Sequence, residues 1–160
     1  MSGKGTAMAR AIIAGLFLGA VSFLGPAFEA RATQEDPNEG WLPPNFKWDK
    51  PIEVVVKLED NNFDPDKSVF DIGKAYKLVL RNVGKVSHDL VENTFFHSVV
   101  TKYVILPTGT VRTPHVHSVS VQPGMEAVIH FAAVRPGEFA IFCSIPGHRE
   151  DGMEGHFVIK

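Results

Sequence analysis

Cysteine is nearly missing. One residue, Cys143, stands in a chain of 160. No disulfide can form within the chain, which excludes the disulfide frameworks of small secreted domains. The same count argues against a binuclear copper centre with two cysteines in one loop, and against a structural zinc site, which favours more thiolates. No cluster of lysine and arginine appears. With 16 basic and 18 acidic residues the formal net charge is −2, so nothing marks a nucleic-acid-binding surface. The longest apolar run, residues 11–24, falls short of the ~20 residues that cross a bilayer comfortably. Methionine is sparse, four in all with two of them at Met1 and Met8, so there is no methionine-rich tail for scavenging metal.

The N-terminal residues read as a leader. Lys4 and Arg10 precede the apolar run, and Ala30-Arg31-Ala32 offers small residues at the −3 and −1 positions of a cleavage site. That is the layout of a secretory signal peptide over residues 1–32. An uncleaved membrane anchor is the competing reading, and neither is cytoplasmic. Cleavage predicts a periplasmic protein with no stable membrane insertion of the mature form. A lone thiol in an oxidising compartment is a liability unless it is buried or bound.

Residues 33–51 are polar, acidic and punctuated by proline, and read as an N-terminal arm or linker. Trp41, Phe46 and Trp48 are expected to pin it by ordinary packing. Residues 52–160 read as one domain built of strands. Valine-rich or alternating segments fall at 52–58, 68–72, 75–80, 99–106, 116–121, 125–134, 138–143 and 156–159. Gly73-Lys74, Pro123-Gly124 and Arg135-Pro136-Gly137 make turns between them. The pattern predicts an all-β, Greek-key β-sandwich of about eight strands, with no amphipathic helix. Strict alternation over 116–121 places Val116, Ser118 and Ser120 on one face. Two connections are long for hairpins, 81–98 and 107–115, and long ordered loops are where function tends to sit.

The chemistry concentrates near the C-terminus, where Cys143, His148 and Met153 follow one another as Cys-x4-His-x4-Met between two expected strands. Such a loop gathers a thiolate, an imidazole and a thioether at one end of a sandwich. Two histidines and a cysteine in a trigonal array, with a weak axial methionine, describe a blue-copper electron-transfer site. The second histidine must come from elsewhere. His88 is the best candidate, because it follows Arg81-Asn82-Val83-Gly84, where a strand runs out into a turn. Zinc would leave Met153 unexplained. So would a Cys143–His148 nucleophilic pair, for which the sequence singles out no orienting acid.

These segments resemble the small bacterial cupredoxins of the plastocyanin, pseudoazurin and azurin superfamily, with loop spacing most like rusticyanin. The likeness rests on Asn82, Gly84 and His88, and on the Cys143–His148–Met153 loop with Gly152 and Gly155. Phe63-x-Pro65 and Pro136-Gly-x-Phe139 add weaker support. The resemblance implies one type 1 copper ion, with Cys143, His88 and His148 in the trigonal plane and Met153 axial. His148 would be the more exposed histidine and the electron port. Asp89 stands where the family often has Asn or Ser, and would tie the ligand loops together through Ser144. The implied function is one-electron transfer in the periplasm by a monomer. Its transient partner would be a redox protein such as a c-type cytochrome or a redox enzyme, with no enzyme activity of its own. Copper tolerance, sequestration or delivery through the same ligands is the alternative. It would draw on His97, His115 and His117 as extra donors. His130 reads as structural, and His156 as a neighbour of the loop rather than a ligand.

Overall fold

A computed structural model describes residues 38–114 and 116–160. The leader over residues 1–32, the start of the arm at 33–37, and His115 lie outside the described residues.

Two sheets face each other. The first runs, in spatial order, β2 (Asn62–Asp64), β1 (Ile52–Glu59), β4 (Ala75–Asn82), β9 (Glu126–Ala133), β6 (Val99–Leu106) and β7 (Gly109–Val111). The second runs β3 (Lys67–Phe70), β11 (Glu154–Ile159), β10 (Gly137–Phe142), β5 (His88–Val91) and β8 (Ser118–Val121). Period-2 patterning explains the faces. In β3, Ser68 and Phe70 point inward while Lys67 and Val69 point out. In β11, Gly155, Phe157 and Ile159 do the same. The chain passes repeatedly from one sheet to the other, so β1 lies parallel to β4, and β3 parallel to β11. The step from β3 to β4 turns at Gly73, whose φ of 75° suits glycine.

Between the sheets lies an aromatic cluster. Phe70 packs against Tyr76, Phe95, Phe131 and Phe157 at centroid distances of 5.0–5.8 Å, mostly edge to face. Such offset geometry is favoured by the ring quadrupole and adds to the burial of the rings themselves. On the outer face of the first sheet, Leu42, Phe46 and Trp48 of the arm pack on Val100, Ala132 and Val134. Trp41 does not join them. It is exposed, with the Arg135 guanidinium 4.4 Å above its ring.

The sandwich is the one expected, with eleven strands among the described residues rather than about eight. The additional ones are β2, β5 and β7, each three or four residues long, too short for alternation to announce them. Two of them divide the expected long loops. β5 and a one-turn helix, α1 (Asn93–Phe96), occupy part of 81–98, and β7 occupies part of 107–115. The alternation read over 116–121 also fails at its start. β8 begins at Ser118, Val116 is buried and His117 exposed, so residues 116 and 117 precede the strand rather than extend its pleat.

Candidate metal centre

Asn82, the last residue of β4, is buried, and its side chain builds the turn that follows. Its amide nitrogen donates to the carbonyls of Val86 (2.8 Å) and Val121 (2.7 Å), and its side-chain oxygen accepts the Gly84 N–H (2.9 Å). The backbone N–H groups of Val83 and Gly84 both donate to the Leu58 carbonyl. The turn is thereby fastened to β1 on one side and β8 on the other. It delivers His88 as the first residue of β5, in register with Val121.

The His88 ring is wholly buried. Its Nε2 lies 3.4 Å from Asp60 Oδ1, while its Nδ1 is buried without a hydrogen-bond partner. Burial holds the His88 pKa below the ordinary histidine value. Proximity to His148 acts the same way, and the Asp60 carboxylate opposes both. The ring is therefore neutral at neutral pH, the form that binds metal.

The second ligand segment leaves β10. The Cys143 N–H donates to the Met153 carbonyl (3.1 Å), the Met153 N–H to the His148 carbonyl (2.8 Å), and the His148 N–H to the Ile145 carbonyl (3.0 Å). The loop closes on itself, with Gly147 and Gly152 at φ 89° and 105°. Side chains from residues 143, 148 and 153 are thus brought to one place. Cys143 Sγ lies 3.4 Å from His148 Nδ1, and the His88 and His148 ring centroids are 5.0 Å apart. The ligating atoms of His88, Cys143 and His148 all fall within 4.8 Å of one another. Met153 is fully buried in the same apolar cluster as Cys143. His148 is half-buried and reaches the surface.

Asp89 joins the two segments, as the sequence suggested. Its carboxylate accepts the Ser144 N–H (2.6 Å) and hydroxyl (2.7 Å), and its own N–H donates to Cys143 Sγ (3.5 Å). Burial pushes the Cys143 thiol pKa up, the Asp89 and Ile145 N–H groups draw it down, and the Asp89 carboxylate adds to the rise. To hold a metal, the Cys143 thiol would have to give up its proton.

The other described histidines stand apart. His97, His117 and His156 are exposed, and His117 Nδ1 lies 3.0 Å from Asn93 Oδ1. His130 is half-buried against Tyr103, with ring centroids 4.5 Å apart. Among the described residues, His88, Cys143 and His148 form the one grouping able to hold a metal ion. Sequence reasoning missed Asp60. Its contact with His88 arises from strand pairing, which no local motif announces.

The donor set suits copper. One thiolate, two imidazoles and a buried thioether make a soft to borderline cage, unlike the thiolate-rich sets of structural zinc or the oxygen sets of calcium and magnesium. The buried, unpartnered His88 Nδ1 is the atom a metal would satisfy.

Comparison with known proteins agrees. The sequence profile of the multicopper oxidase family matches residues 45–160. The copper-resistant cuproprotein CopI of Rubrivivax gelatinosus is 26% identical over 106 residues, which cover 66% of this chain and 64% of the relative. The McoA multicopper oxidase of the hyperthermophile Aquifex aeolicus superposes with a TM-score of 0.53 at 13% identity, over 71% of this chain and 30% of that one. The copper-containing nitrite reductase of Thermus scotoductus gives 0.51 at 14% identity, over 68% and 31%. The chain thus spans under two thirds of the curated relative and about a third of each of these structures. At such identities the likeness is one of fold, and fold alone does not carry function.

Proposed function

We propose, from the premise that the chain belongs to the multicopper oxidase family and forms a cupredoxin-like domain with a type 1 copper site at His88, Cys143, His148 and Met153, that it is an electron carrier rather than an enzyme. Copper held there supplies a one-electron couple, Cu(II)/Cu(I), within a donor set that both states accept. The protein supplies the rest. The closed loop and the Asp89–Ser144 bonds fix the ligands at the end of the second sheet, which packs on the first, so little has to move when charge changes.

His148 carries this reading, because it is the ligand that reaches solvent. Around it, the loops that leave the same end of the sandwich present exposed Val83, Val86, Met125 and Pro146. An apolar rim at the end where a half-buried ligand reaches the surface suits brief docking of a redox protein such as a cytochrome, with the chain acting as a monomer. The leader pattern of residues 1–32 supports a periplasmic location, to be checked by cell fractionation.

A second reading, copper tolerance or delivery, is favoured by the likeness to a protein named copper-resistant cuproprotein. One experiment separates the two. One equivalent of Cu(II) should give an intense thiolate-to-copper absorption band that Cys143→Ser abolishes. Electron self-exchange, read from NMR line broadening in mixed oxidation states, should outrun copper loss to a chelator by orders of magnitude. Copper that leaves as fast as electrons exchange would replace the carrier reading with copper handling. Oxygen uptake driven by an added reductant would replace it with oxidase activity.

A further inference from the structure

We infer that Asp60 is the positioning residue of the copper site. Its carboxylate grips the His88 ring by Nε2, leaves Nδ1 for the metal, and adds a negative charge that favours Cu(II) over Cu(I). This rests on the copper site and not on the electron-carrier reading.

His88 has two ring nitrogens, and the structure uses them differently. Nδ1 is buried and unpartnered beside the cluster, and Nε2 faces Asp60 Oδ1 at 3.4 Å. A carboxylate in that place selects the tautomer with the proton on Nε2, orients the ring and raises its basicity as a ligand. The oxygen is itself held, since Asp60 Oδ1 also accepts the Lys85 N–H at 2.9 Å.

The cradle is specific to this backbone. Asp60 lies in the turn between β1 and β2, beside Asn61 at φ 67°. The Leu58 carbonyl ties the 83–87 turn down onto it. Where the two turns meet, residue 84 is glycine. A Cβ there would collide with Asp60 Oδ1 and come within 2.8 Å of His88 Nε2. The carboxylate and the imidazole can meet only because residue 84 has no side chain. Asp89 is the other carboxylate at the site, but its oxygens are taken up by Ser144 and it acts on the cysteine side. Asp60 acts on the histidine side.

The test is the reduction potential of the copper-loaded protein, with the thiolate-to-copper band as the sign of an intact site. Asp60→Asn keeps an oxygen for Lys85 and removes the charge. It should weaken Cu(II) binding about tenfold more than Cu(I) binding, which raises a one-electron potential by about 59 mV. Glu59→Gln removes the same charge one residue away, without the histidine contact, and should shift the potential far less. Gly84→Ala keeps the charge but drives a methyl group between carboxylate and ring. It should raise the potential too, and it carries the test if Asp60→Asn does not fold. A wild-type protein without the band overturns the copper site and this inference together. A wild type with the band, whose potential neither Asp60→Asn nor Gly84→Ala moves, overturns the role of Asp60 alone. So does a Glu59→Gln shift as large as that of Asp60→Asn.

Discussion

Asn82 shows how one side chain sets up a metal site without touching it. Its three hydrogen bonds satisfy the carbonyls of Val86 and Val121 and the N–H of Gly84, and the Val121 bond is buried. A buried polar group left without its partner costs more than the bond it lost. Asn82→Ala strands two carbonyls and frees the turn that presents His88. It should cost about 1–3 kcal/mol in urea unfolding of the copper-free protein, and copper affinity should fall with it. Unchanged stability would mean that water takes over both carbonyls. At this scale the sequence was partly readable. Asn82, His88, Cys143, His148 and Met153 stand in short spacings whose chemistry is visible in the chain. Asp60 does not, since only the parallel pairing of β1 with β4 brings it to His88.

Strands were legible where a face is buried over many residues, as in β1, β4, β6 and β9, because long runs of valine, leucine and isoleucine outlast the noise of single positions. β5 was not. Four residues, His-Asp-Leu-Val, carry too little periodicity, and so His88 was expected in a loop although it opens a strand. The same ladders hold a pH response. His130 on β9 lies opposite Lys77 of β4 and Tyr103 of β6. Burial lowers its pKa first of all, and the Lys77 and Lys102 charges add to it. A histidine whose pKa is depressed by folding binds its proton more readily in the unfolded chain. Its contribution is therefore intact above the ordinary histidine range and is lost as pH falls through that range toward the folded value. The copper-free protein should lose stability between about pH 7 and pH 5. His130→Gln should flatten that slope without touching the metal cluster. Denaturant midpoints at the two pH values check it, and an unchanged slope would assign the acid response to other groups.

The whole molecule places its ligands on two separate stretches of chain. His88 arrives from the β4–β5 turn, while Cys143, His148 and Met153 come from the β10–β11 loop. Sheet pairing brings these stretches together in a narrow way, since β5 and β10 share a single paired position, Phe142 with Val91. Beyond that point the Asp89–Ser144 bonds and the Asp89 N–H to Cys143 Sγ contact make the link, to which bound copper would add. A ligand that binds only the folded chain stabilises it by RT ln(1 + [L]/Kd), roughly 4 kcal/mol at a thousandfold excess over Kd. For a domain of this size that corresponds to a rise in Tm on the order of 10 °C. Calorimetry with and without one equivalent of copper should show it, and Cys143→Ser should lose the rise whatever its own Tm. Because a metal held by His88, Cys143 and His148 would join these two segments, hydrogen exchange should slow most in residues 83–91 and 143–153, and far less in the aromatic core around Phe70. Protection that rose uniformly across both sheets would show instead that the sandwich opens only as one unit, with the metal site sharing its global stability.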